Sequence, residues 1–253
     1  MLSNFFNPVI RLAFFLFAGV FSAQAIYAQS SIIIPVTDFT PKAINNEGET
    51  ESKWSVLSFP RRDATQYSLH TQDSLVSIKA ESSNSASGLV YQVDINPAEY
   101  PIIEWSWQIE APVKDGNYKT KDGDDYAARI YITFDYDKSN LSFGDRLKYN
   151  ALKTFSRFPI PIRAINYIWA NNADIDTIAP NAYTDWVYMI VAETGNERSN
   201  TWVMQTRNIF EDYKAAFGEV PPNINGVAIM TDTDNTKNSA TAFYGDIIFR
   251  KAD

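Results

Sequence analysis

The chain contains no cysteine and only one histidine, His70, among its 253 residues. The absence of cysteine excludes disulfides, a bacterial lipid anchor, thiolate nucleophiles and thiolate metal ligands. A single histidine excludes multi-histidine zinc sites. Because no nucleophile-elbow pattern accompanies it, we expect His70 to be a surface residue and not part of a Ser-His-Asp triad. The chain also lacks a glycine-rich phosphate loop, which predicts that no nucleotide cofactor binds.

Basic residues are outnumbered by acidic ones, 22 against 30, which gives a formal net charge of −8. A negative balance disfavours nucleic acids and anionic membranes as partners. Neutral polar ligands and cations fit this charge better. An acidic polysaccharide stays an alternative, because local arginines can bind one.

Long apolar runs are confined to the N-terminus. The apolar run at residues 12–21 follows Arg11, and small residues stand at Ala23 and Ala25, where a signal peptidase reads the chain. We predict a signal peptide over residues 1–28, cleaved after residue 25 or 28, with a retained anchor as the alternative. The mature protein is then expected to be periplasmic or secreted, without stable membrane insertion.

Alternation of apolar and polar residues with a period of two dominates residues 29–253, which we predict to be a single domain. The clearest alternating segments are residues 74–80, 102–109, 126–136, 164–169, 186–192 and 202–207. Many short strands separated by turns favour an all-β fold, an antiparallel β-sandwich resembling a jelly roll.

Two segments predict short peripheral helices. Phe143, Leu147, Ala151 and Phe155 recur every four residues, and Ile209–Phe217 also has a helical pattern. The simplest interpretation packs the first apolar stripe on the sandwich. A lid over a polar sheet face is the alternative.

Several predicted strands carry polar residues on one face. If these strands are neighbours, one polar surface contains Glu104, Gln108, Arg129, Tyr131, Asp135, Gln205 and Arg207. Sugars suit such a surface, since their C–H patches stack on aromatic rings and their hydroxyls bond to planar polar groups. An ordinary solvated sheet face is the alternative. The predicted ligand-binding residues are Gln108, Arg129, Tyr131, Trp169 and Arg207.

Acidic residues at strand ends predict a structural calcium ion, because hard cations prefer oxygen ligands. Asp38 and Asp246 precede the first and last predicted strands, which often pair in sandwiches. Asp232 and Asp234 form a second candidate pair, for which a polar hairpin loop is the alternative. A third cluster, at residues 122–125, fits either a cation or a turn.

Four motifs in order resemble a secreted bacterial family catalogued as domain of unknown function 3047. They are Asp124-Asp125-Tyr126-Ala127-Ala128-Arg129-Ile130-Tyr131, Tyr167-Ile168-Trp169, Arg207-Asn208-Ile209-Phe210-Glu211-Asp212-Tyr213, and the 230–235 run with Tyr244-Gly245-Asp246. This resemblance implies no established activity and no catalytic residues. The closing strands also resemble carbohydrate-binding β-sandwich modules, in which acidic residues on the first and last strands commonly hold calcium.

Three functions fit these observations. The first is an extracytoplasmic protein that binds a polysaccharide or another polar ligand. The second is a polysaccharide lyase or glycoside hydrolase on the same scaffold. In a lyase, Tyr131 would act as acid or base while Arg129 or Arg207 neutralises a uronate. The third is a structural envelope protein.

Overall fold

The computed structural model describes residues 31–40, 52–155 and 161–252, with no side chain described at 148 and 151–155. The predicted signal segment, residues 1–28, lies outside the described residues. The strands, in chain order, are β1 (Ser31–Ile34), β2 (Trp54–Ser58), β3 (Gln66–Gln72), β4 (Leu75–Ser83), β5 (Ala86–Ile95), β6 (Ile102–Ile109), β7 (Arg129–Phe134), β8 (Ala164–Ala170), β9 (Ile178–Asn181), β10 (Thr184–Thr194), β11 (Val203–Asn208), β12 (Ile224–Asp232) and β13 (Ser239–Arg250). The helices are α1 (Phe143–Phe155) and α2 (Ile209–Phe217).

The strands form two sheets. Sheet A has the order β11-β6-β13-β4-β3, with β1 also paired to β13, and sheet B has the order β2-β5-β12-β7-β8-β10-β9. Strand pairs are antiparallel except for β8 and β10, which run parallel with Val187 beside Ala164. The predicted all-β sandwich is therefore confirmed, with one parallel pair that the alternation did not reveal.

The core between the sheets is rich in aromatic rings. Trp105 and Trp107 on β6 point toward sheet B, and Tyr167 and Trp169 on β8 point back toward them. The ring centroids of Trp105 and Tyr167 lie 4.9 Å apart, and those of Trp107 and Trp169 lie 5.9 Å apart. Each fully buried large apolar side chain contributes about 1.5–3 kcal/mol. Trp169 therefore serves the core and offers no surface to a ligand.

Helix α2 has local signals at both ends. The Asn208 side chain accepts the backbone N–H of Glu211 at 3.1 Å, and Gly218 ends the helix with φ +72°. Tyr213 is fully buried and packs on Phe134, with ring centroids 4.5 Å apart. The helix predicted at Ile209–Phe217 is therefore confirmed, and capping together with one buried apolar face accounts for its bounds.

Helix α1 packs with the face opposite to the one expected. Tyr149 is buried in a small cluster with Trp186 and Ile162. Phe143 and Leu147, two members of the predicted stripe, are 85% and 64% exposed. The prediction that this stripe packs on the sandwich is wrong for these two residues, because Tyr149 supplies the contact instead. Among the described residues, no helix is both long and apolar enough to cross a bilayer.

Candidate functional site

The predicted ligand-binding residues do not share one surface. Gln108 lies on β6 and Arg207 on β11, both in sheet A, whereas Arg129 and Tyr131 lie on β7 in sheet B. Trp169 is buried between the sheets. The expectation of a single polar sheet face is therefore wrong. Alternation predicts which side of a strand is polar, but only long-range pairing decides to which sheet the strand belongs.

Arg129 is buried on the outer face of sheet B. Tyr126, just before β7, packs on Ile168 and Met189 of that face. The guanidinium group of Arg129 forms an ion pair with Asp232 and lies over the Tyr126 ring, 5.1 Å from its centroid. Arg129 is only 3% exposed, so its charge acts on buried protein partners and is not offered to solvent.

Burial shifts the pKa values of the groups around Arg129. It raises the pKa of Asp124 above its usual range, although Arg129 and the Asn181 amide oppose the shift. Burial also raises the pKa of Asp232, against the opposing charge of Arg129. The pKa of Tyr131 is raised for the same reason, again against Arg129. Tyr131 therefore keeps its proton at neutral pH, which does not suit a catalytic base.

In the structure, a third carboxylate lies beside Asp232 and Asp234, the second predicted cation pair. Oxygen atoms of Asp125, Asp232 and Asp234 all lie within 4.8 Å of one another. Each carboxylate also has a protein partner. Asp125 accepts hydrogen bonds from the Thr236 N–H at 2.6 Å and its hydroxyl at 2.7 Å. Asp232 pairs with Arg129, and Asp234 pairs with Arg62 at 2.7 Å. Calcium at this cluster stays a prediction.

Asp38 and Asp246, the first predicted cation pair, lie beside the end of the β1–β13 pairing. Asp246 accepts the backbone N–H of Val36 at 2.8 Å, two residues before Asp38. Asp38 accepts the Tyr91 hydroxyl at 3.0 Å and forms an ion pair with Lys53 at 3.2 Å. The two aspartates thus hold neighbouring segments together, and their binding of calcium also stays a prediction.

Arg207 occupies the edge of the sandwich beside α2. Its Nε and Nη2 atoms donate to the two carboxylate oxygens of Asp212 at 3.0 and 2.8 Å. The buried Tyr167 hydroxyl donates to the same carboxylate at 2.7 Å. This bidentate pair joins β11, α2 and β8, and the remaining Nη1 atom of Arg207 pairs with the exposed carboxylate of Asp176, so all three guanidinium nitrogens have protein partners.

Aromatic rings lie in a row on the outer face of sheet A. Trp202 precedes β11, Phe243 lies on β13 and His70 lies on β3. Ring centroids are 6.5 Å apart between Trp202 and Phe243, and 5.0 Å apart between His70 and Phe243. All three rings are half-buried, and Gln108 stands directly opposite Phe243 in the strand register. We call Trp202, Gln108, Phe243 and His70 the ring platform.

The ring platform faces solvent. Met204, which shares this face of β11, is 75% exposed. Beside the rings, Lys79 lies opposite Phe243 in the register and donates to Glu81 at 2.7 Å. Of the platform residues, the sequence indicated only Gln108 as a ligand contact. Alternation around the buried Ala242 and Tyr244 could have placed Phe243 outside, but only the pairings bring the three rings together.

A groove lies at the β9 edge of sheet B. One cavity of about 370 Å³ is lined by residues 114–119 with Asn171 and Asn172, and an adjoining cavity of about 480 Å³ is lined by Tyr118, Lys119 and residues 177–182. Asn181, in the lining, donates to Asp124 at 3.1 Å and so links the groove to the Arg129 cluster. We call this feature the loop groove.

The two facing sheets, the aromatic core and the open ring platform define an all-β sandwich protein with one exposed polar and aromatic sheet face. Residues 52–248 match the family described as "Protein of unknown function (DUF3047)". This match spans most of the chain, and the chain belongs to that family. No curated protein matches the sequence.

Solved structures with a similar fold include three of different kinds. The first is the K1 cleaved adhesin domain of Lys-gingipain from Porphyromonas gingivalis, with 11% identity, TM-score 0.37, and coverage of 88% of this chain and 99% of that one. The second is a family 30 carbohydrate-binding module of a Clostridium thermocellum cellulase, with 8% identity, TM-score 0.34, and coverage of 81% and 90%. The third is the Endo-D glycoside hydrolase domain of Streptococcus pneumoniae, with 7% identity, TM-score 0.33, and coverage of 78% and 21%. The chain thus spans about a fifth of the third structure. At these scores the similarities carry no functional inference.

Proposed function

We propose that this protein binds a glycan or a similar polar ligand outside the cytoplasm, on the ring platform. The observation that carries the proposal is the row of three half-buried rings, Trp202, Phe243 and His70, on an open sheet face. Aromatic rings present flat apolar area at a low cost in conformational entropy, and the C–H faces of a sugar stack on such area.

Polar groups beside the rings supply the second requirement of a sugar site. Gln108 offers an amide that both donates and accepts hydrogen bonds, and the Lys79–Glu81 pair offers charged partners for hydroxyl groups. The formal charge of −8 favours a neutral glycan over a polyanion. The ligand class that fits best is therefore a neutral polysaccharide.

A panel of soluble and insoluble polysaccharides tests the proposal, with binding and release of reducing ends or unsaturated products measured together. Trp202→Ala and Phe243→Ala should each weaken binding roughly two- to tenfold, because one stacking contact contributes about 0.5–1.5 kcal/mol. Tyr118→Ala in the loop groove is the matched control and should leave affinity unchanged.

Two results would overturn the proposal. Absence of binding to every polysaccharide would remove the function. Weakening by Tyr118→Ala, with no effect of the platform variants, would move the site to the loop groove. Product release alongside platform-dependent binding would add catalysis to the function without changing where the ligand lies.

A further inference from the structure

Helix α1 presents apolar side chains to solvent. Phe143 and Leu147, one turn apart, are 85% and 64% exposed. Tyr149 is buried on the opposite side of the helix and packs on Trp186, with ring centroids 6.4 Å apart. Because helix residues advance by about 100° each, an inward Tyr149 places the Phe143–Leu147 stripe outward. Burying two large apolar side chains is favourable. An exposed Phe143–Leu147 stripe therefore indicates a surface that binds a partner.

Charge is distributed unevenly around α1. Between residues 138 and 163 the chain has six basic residues and one acidic residue. The rest of the chain holds 16 basic and 29 acidic residues. A strongly negative protein thus concentrates positive charge in the stretch of sequence that contains α1.

Three basic side chains between residues 138 and 163 are described, and one of them, Arg163, forms an ion pair with Glu219 at 2.9 Å. Lys138 lies 5.0 Å from the Tyr149 ring centroid, and Arg146 donates to the carbonyl oxygens of Ser139 at 2.9 Å and Leu141 at 3.2 Å. Within the described part of the chain, neither Lys138 nor Arg146 forms an ion pair with a carboxylate. Both cations are therefore available to an external anion.

We propose that α1 docks the protein on an anionic lipid bilayer. A basic amphipathic helix with large apolar side chains lies in the bilayer interface, with the apolar stripe among the acyl chains and the cations at the headgroups. A second protein copy fits less well, because a stable interface buries about 800 Å² per partner and the described stripe offers two side chains. The helix lies along the surface and does not cross it. The net charge of the whole chain disfavours anionic membranes, but the local charge of α1 determines this contact.

Sedimentation of the full chain with vesicles tests this proposal. Phosphatidylglycerol-containing vesicles should bind the chain more tightly than phosphatidylcholine vesicles, and added salt should weaken binding. The double variant Phe143→Ser/Leu147→Ser should weaken it at least about tenfold, since two buried apolar side chains are lost. The matched control is Met204→Ser/Val220→Ser, which changes side chains that are 75% and 69% exposed. Because every variant keeps the same N-terminal apolar run, the difference between the two double variants isolates α1.

A second measurement uses the absence of cysteine. With Leu147→Cys, an environment-sensitive dye can be attached at a single position, and its emission should shift to the blue on adding phosphatidylglycerol vesicles. The same dye at Met204→Cys should not respond. Equal vesicle binding by both double variants, or an unresponsive dye at residue 147, overturns the proposal. A dimer that dissociates in Phe143→Ser/Leu147→Ser, without vesicle binding, also overturns it by assigning α1 to a copy–copy interface.

Discussion

Four carboxylates and two guanidinium groups meet where β7 begins and β12 ends. The members are Asp124, Asp125, Asp232, Asp234, Arg62 and Arg129. Full ionisation leaves two negative charges in excess in a region of low dielectric, which is costly. Protonation of part of the group relieves this cost, in keeping with the raised pKa values of Asp124 and Asp232. Asp124 and Asp232 therefore couple the stability of the fold to pH.

The pH dependence has a definite sign at Asp124. Its folded-state pKa is raised, so its contribution to stability is full below the unfolded value of about 3.9 and is lost as pH rises through the folded value. We predict that Asp124→Asn reduces the fall in the free energy of unfolding between about pH 4 and pH 8, because an amide does not titrate. Urea unfolding across that range measures it.

Asp137→Asn is the control for this experiment. Hydrogen bonds from Ser139 lower the folded-state pKa of Asp137, so above about pH 5 this carboxyl is ionised in both the folded and the unfolded state. Its substitution should therefore shift stability by a constant amount between about pH 5 and pH 8. An Asp124→Asn variant with the wild-type slope contradicts the account of the buried cluster.

At the scale of single elements, the two helices show how much local sequence decides. The four-residue apolar repeat that begins at Phe143 and the helical pattern of Ile209–Phe217 both coincide with helices of the structure, because such patterns are local signals. The orientation of α1 was not predictable from its stripe, because the competing contact comes from Trp186, far along the chain. Local patterns thus give the existence of a helix, and tertiary contacts give the face that it buries.

Replacing a glycine by alanine, once at the end of α2 and once within α1, tests whether local signals determine the helices. Gly218 ends α2 at φ +72°, a conformation that costs an L-residue about 1 kcal/mol, so Gly218→Ala should destabilise the protein by about that amount. Gly144 lies in the first turn of α1, where an added Cβ atom would meet only the Ser142 hydroxyl oxygen at 4.0 Å, so Gly144→Ala should not destabilise and should add up to about 1 kcal/mol. Thermal or urea unfolding measures both changes. Equal effects of the two substitutions would show that the helix ends are not as described.

At the scale of the whole molecule, sheet membership separates what the sequence could predict from what it could not. Alternation located β6, β7 and β11, and it gave the sandwich class. It could not show that β6 pairs with β11 and β13 while β7 pairs with β8 and β12. Those pairings join segments about a hundred residues or more apart in several cases, and side-chain periodicity contains no information about partners.

In the candidate site, too, the sequence predicted single residues but not their contacts across strands. Gln108 was predicted as a ligand contact from its polar face, and it lies on the ring platform. Phe243 and His70 come from opposite ends of the chain and meet only because β13 and β3 flank β4 in sheet A. Arg129 and Arg207 were predicted to bind ligand on a polar sheet face, and in the structure each pairs with a buried aspartate. A residue's neighbours across strands, and not its own pattern, decided these outcomes.

The single histidine gives the most direct measurement of the central claim. His70 is the only histidine in the chain and lies 5.0 Å from Phe243, ring centroid to ring centroid, so its imidazole resonances report on the ring platform alone. In an NMR titration with a polysaccharide that binds, we predict that these resonances move in step with saturation, and that Trp202→Ala shifts the curve to higher ligand concentration. Imidazole resonances that stay fixed while the polysaccharide saturates the protein would contradict the claim that the platform binds the ligand.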